Sequence, residues 1–89
     1  MSLKKQILTQ LTYIKTTIEA NVNTLQSLSD HSESLTSIIS GLSDTNEVEN
    51  KKNELESIKN SINEDIKNLT TKTSELFTRY KELIETLFK

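Results

Sequence analysis

The chain has a single histidine, His31, in the run Ser27–Leu35, SLSDHSESL, with Asp30 and Glu33 beside it. An imidazole flanked by carboxylates is the kind of set from which a general base or a divalent-metal site is made. Either chemistry asks for more than the set itself: a metal needs several converging ligands, and proton transfer needs a concave pocket that excludes water. There is no second histidine and no cysteine in the 89 residues, which excludes disulfides, thiolate metal sites and thiol nucleophiles. One glycine cannot build a phosphate-cradling loop. His31 is therefore expected to be solvated, and the chain to be no enzyme, with no cofactor and no metal.

Basic residues come next, because they are what nucleic acid would require. Lys4-Lys5, Lys51-Lys52, Lys59, Lys67 and Lys72 are the candidates. Glu49, Glu54, Glu56, Glu64 and Asp65 are interleaved with the later lysines, and the net charge is −2, so a solvated charged face is expected and no nucleic acid partner. Glu47 with Lys51 and Glu75 with Arg79 have the i,i+4 spacing of surface ion pairs. Asn68-Leu69-Thr70 has glycosylation spacing, but Leu69 belongs to an apolar repeat. No run approaches the roughly 18 apolar residues of a membrane span. The opening MSLKKQILTQL has spaced apolar residues and no small-residue cleavage site, unlike a signal peptide. A soluble cytoplasmic protein is expected.

The elements that position these side chains read as helices. In the first half the apolar residues Leu3, Ile7, Leu11, Ile14, Ile18, Val22, Leu25, Leu28, Leu35, Ile38, Ile39 and Leu42 follow steps of three and four, the period of one helix face. With Leu11, Ile18, Leu25 and Ile39 at a and Ile7, Ile14, Leu28, Leu35 and Leu42 at d, the seam is interrupted by Lys4, Asn21 and Ser32. Asn21 can fix register there or face a gap between splayed helices. In the second half Val48, Leu55, Ile62, Leu69, Leu76 and Leu83 recur every seven residues, with Lys52, Lys59, Ile66, Thr73, Tyr80 and Leu87 at the partner positions. A sustained heptad implies left-handed supercoiling against another helix, and the two lysines can snorkel out of the seam while thinning it.

Between the halves stands the only glycine, in a chain without proline. Gly41 is expected to end helix one (residues 3–40) in the left-handed conformation. A turn over 41–44 and a second helix over 45–88 follow, capped by Asp44 with Glu47 or by Ser43, with Glu47 and Glu49 at the positive end. The run SLSDHSESL competes with helical hydrogen bonding and marks where helix one would kink or break. The fold class is all-α, a single-domain antiparallel two-helix hairpin, coiled-coil-like, that completes a bundle by dimerisation or with a helical partner.

Three of the four aromatic residues fall in the C-terminal run ELFTRYKELIETLFK. Leu76, Phe77, Tyr80, Leu83, Ile84, Leu87 and Phe88 make a stripe wider than a two-helix seam requires. Antiparallel pairing sets it beside Ile7, Leu8 and Leu11, and these ten residues are the candidate partner-binding set. Residues 1–43 carry six charges and the remainder eighteen. A Ser/Thr/Asn-rich exterior on helix one costs less to desolvate at an interface than the Lys/Glu exterior of helix two.

A hairpin of this length with Ser40-Gly41-Leu42 at its turn resembles the small helical proteins of bacterial type VII secretion, namely the Trp-Xaa-Gly superfamily and the partner proteins of LXG-domain toxins. The tryptophan of that turn is absent, and Tyr80 is followed after four residues by Ile84 in place of the family's acidic export residue. The resemblance implies a small adaptor or chaperone that pairs with a helical toxin domain and undergoes leaderless export with it. The expected function is thus a non-catalytic interaction module whose partner is another helical protein or itself. A structural coiled-coil subunit, or a nucleic-acid-binding hairpin dimer, is the alternative.

Overall fold

A computed structural model of the chain describes residues 2–42 and 46–89, with the side chains at 46 and 47 left aside. Two helices account for nearly all of it: α1, Leu3–Ser40, and α2, Asn46–Leu87. They lie antiparallel as a hairpin 67 Å long and about 17 Å wide.

Ser2 starts α1. Its backbone is extended (φ −70°, ψ 153°), and its hydroxyl oxygen accepts the Lys5 N–H at 3.2 Å, satisfying one of the donors a helix start leaves free. α1 runs unbroken through SLSDHSESL, so the helix does not break at the expected weak point. Its polar side chains bond in ways that leave the helix ladder intact. Gln26 Nε2 donates to Asp30 Oδ1 at 3.0 Å, and Ser32 Oγ donates across the seam to Asn63 Oδ1 at 2.8 Å.

Gly41 ends α1, but not in the left-handed conformation expected of it. It sits at φ −85°, ψ −6°, and no described residue has a positive φ. Its N–H is shared between the Ser37 and Ile38 carbonyls at 3.2 and 3.1 Å, and Leu42 N–H donates to Ile39 O at 3.2 Å. The last turn thus tightens toward i,i+3 bonding, which satisfies terminal carbonyls without reversing φ. The Ser43 and Asp44 caps expected for α2, and the Glu47 side chain, lie outside the described residues.

The seam follows the spacing closely. Within α2 every position of the two seven-residue series, from Val48 to Leu87, is buried or half-buried. Ile84 alone joins them among the described side chains of that helix. Lys52 and Lys59 are half-buried, as snorkelling lysines should be. In α1 and just past it, the series from Ile7 to Leu42 is covered likewise, whereas Leu3, Val22 and Ile38, apolar by spacing, lie off its edge and are exposed. The Ser32–Asn63 bond sets the register, so residue i of α1 lies at the height of about residue 95 − i of α2.

Depth along the seam is uneven. Ile7, Leu11, Ile14, Ile18 and Leu83 form the buried core, with Leu76, Tyr80, Ile84 and Leu87 packed against it. Thr73, the one buried polar residue among those described, donates its hydroxyl to Leu69 O at 2.7 Å. Among the described residues, all six buried ones sit toward the open end, away from Gly41. Toward the turn, Ser32, Lys52 and Lys59 replace large apolar groups, and no residue described there is more than half-buried.

Candidate docking surface at the open end

Tyr80 is the hinge of the surface's geometry. Its seam position packs it against the core, while its neighbours one step around the helix, half-buried Ile84 and exposed Phe77, turn toward one broad side of the hairpin. An open groove of about 540 Å³ runs along that side between Phe77, Tyr80, Lys81, Ile84 and Glu85. A smaller one of about 180 Å³ lies between Phe77 and Tyr80 of α2 and Lys15, Ile18 and Glu19 of α1. Lys15 therefore shares a side with Phe77. Leu8 and Val22, seven residues either way from Lys15, lie on that side too.

The ten candidate residues divide by depth. Ile7, Leu11 and Leu83 are inside, at 5–8% exposure, where they hold the two helices together and offer nothing to a partner without opening the hairpin. Leu76, Tyr80, Ile84 and Leu87 are half-buried, presenting one flank each. Leu8, Phe77 and Phe88 are exposed at 46%, 55% and 82%. Spacing places all ten at one end and puts Ile7, Leu11, Leu76, Tyr80, Leu83 and Leu87 at the seam; the packed helices decide how deep each lies. Val22, 49% exposed on the same side, was not among them; its seven-residue offset from Lys15 is the signal that finds it.

The polar surroundings are balanced. Lys15 and Glu19 form an exposed ion pair at 3.8 Å, and Lys81 and Glu85 line the other groove. Elsewhere Arg79 pairs with its i,i+3 neighbour Glu82 at 3.8 Å and Lys51 with Glu54 at 3.4 Å, while the expected Glu47–Lys51 pair falls outside the described residues. Such exposed pairs contribute little stability.

A second feature escaped the sequence. The threonines of α1 turn their hydroxyls back onto the helix: Thr9, Thr12, Thr16, Thr17, Thr24 and Thr36 each donate to the carbonyl four residues earlier, at 3.0–3.1 Å. Covering them costs less than covering a hydroxyl bonded to water.

His31 is exposed. Among the described residues no three His, Asp or Glu side chains are placed to hold a metal ion, and no helix is long and apolar enough to cross a membrane. No protein-family model, no curated protein and no solved structure matches the chain.

Proposed function

We propose that the chain is a non-catalytic interaction module, a small helical adaptor or chaperone that docks a further helical surface at its open end. One observation carries the reading: Leu8, Phe77 and Phe88 stay exposed where the seam is already full. Large apolar groups gathered on one side mark a binding surface more often than scattered ones do, and aromatic side chains at such a site supply most of the binding energy. The satisfied threonine hydroxyls of α1 support it, because they extend a surface that water can leave cheaply. In the type VII secretion setting, the docked protein is the helical domain of a co-encoded toxin.

The test is co-expression with the helical product of an adjacent gene. A stable heteromer is expected, weakened about thirtyfold or more by Phe88→Asp, since losing an aromatic anchor costs on the order of 2 kcal/mol. Undiminished affinity in Phe77→Asp and Phe88→Asp would remove the open end from the contact. The uninterrupted heptad of α2 favours a second reading, a structural coiled-coil subunit, which predicts assembly beyond a closed complex as concentration rises.

A further inference from the structure

We infer that the helix docked on the Phe77 face reaches over the turn-end half of the same side, and that there it is cationic. The inference rests on reading the open end as a docking surface and names the chemistry of what docks. Charge along that side leads to it.

Steps of seven residues keep a side chain on one side of a supercoiled hairpin. Three and four such steps back from Phe77 stand Glu56 and Glu49, and two steps on from Glu19, which lines the smaller groove, stands Glu33. All three carboxylates are exposed, and among the described residues none is in an ion pair. Lys52 and Lys59 stay half-buried in the seam. Apart from these two, Lys67, two steps back from Lys81, is the last cation on this side before the turn among the described residues. The open-end half thus balances Lys15 and Lys81 against Glu19 and Glu85, whereas the turn-end half is acidic. The opposite broad side has no such step. Asp65 and Lys72 share a groove there, and Lys51 is paired with Glu54.

The surface between the two halves is one a helix can cover. On the way from Phe77 to Glu56, α2 offers Thr70 and Asn63 and α1 offers Ser29 and Thr36, none of them charged. Asn63 already accepts the Ser32 hydroxyl, and Thr36 donates to Ser32 O, so covering them strands few polar groups. Helix rise places Glu56 about 32 Å and Glu49 about 42 Å from Phe77, a span that a helix of about 30 residues covers. The hairpin, 67 Å long, accommodates it. An apolar or acidic helix laid along this line would take water from three carboxylates and give them no counter-charge. A cationic one supplies the counter-charge. The client therefore carries apolar anchors at one end of its contact stripe and Lys or Arg at the other.

The experiment titrates the full chain with two synthetic helical peptides of about 30 residues, long enough to be helical alone, followed by fluorescence anisotropy at low and at physiological salt. Both peptides have leucines at heptad spacing over one half. The other half carries lysines in one and glutamates in the other. The lysine peptide is expected to bind about tenfold tighter or more, by a margin that narrows as salt rises. Glu49→Lys with Glu56→Lys should remove that preference. Glu64→Lys with Glu75→Lys, the same change of net charge placed off this side, should keep most of it. Circular dichroism controls for folding in each variant.

Equal affinities for the two peptides overturn the inference, and so does a preference that Glu49→Lys with Glu56→Lys leaves intact. A self-pair through Phe77 that neither peptide displaces also overturns it, because a second copy would then be the occupant. Phe77→Asp separates the two failures. Peptides that bind equally well but lose affinity in Phe77→Asp leave the docking reading standing, whereas binding indifferent to Phe77→Asp removes that reading as well.

Discussion

Replacing Leu83 by alanine should cost the hairpin far more than the same change at Leu55, although the two occupy equivalent heptad positions. Leu83 is 5% exposed and packed among Ile7, Leu11 and Ile14. The change deletes Cγ and both Cδ atoms, worth about 2.4 kcal/mol at about 0.8 kcal/mol per buried carbon. Incomplete collapse of the space left behind raises this to about 3 kcal/mol. Leu55 is only half-buried, in the stretch that also contains Lys52 and Lys59. Its alanine variant loses about half the transfer energy and opens no closed cavity, about 1 kcal/mol. For a domain of this size 1 kcal/mol moves the midpoint by roughly 4–8 °C. Thermal unfolding followed at 222 nm, at one fixed chain concentration, should therefore show losses near about 15 °C for Leu83→Ala and about 5 °C for Leu55→Ala. Equal shifts in the two variants would mean that stability is spread evenly along the seam, and the argument from uneven burial would fail.

Other expectations concern single positions. Gly41→Ala should be neutral or stabilising by up to about 1 kcal/mol, because φ is −85° and an added Cβ would meet only the Ser37 and Ile38 carbonyl oxygens at 3.6 Å; a clear loss in a urea titration would show that the turn needs glycine. Lys59→Leu should stabilise by about 1 kcal/mol, since the half-buried stem then carries no charge to the surface; an unchanged midpoint would show that the seam is too open there to gain from filling. In a double-mutant cycle, Ser32→Ala and Asn63→Ala should couple by about 0.5–1 kcal/mol, and strict additivity would dissolve the bond that sets the register. Amide exchange should be slower from Ile7 to Ile18 and from Thr73 to Leu83 than from Leu28 to Leu35; uniform rates would contradict the thin turn-end half.

Much of the architecture was legible in the residues because it is governed by local arithmetic. The seven-residue run from Val48 to Leu83 names the buried stripe of α2 position by position. Steps of three and four do the same for α1, and one glycine in a chain without proline marks the only place for the return. Helix period and chain continuity decide such features before any long-range contact forms. What lay beyond reach depends on the second helix being present. Spacing put Ile7 and Leu83 at the seam and Leu8 and Ile84 beside it, but only antiparallel packing decided that the first two are enclosed while Ile84 stays half-buried and Leu8 exposed. The sequence by itself determined which stripe of each rod is apolar. Only the apposition of the rods decided how deep each part of that stripe lies, because burial at one residue depends on the bulk of whatever stands opposite it.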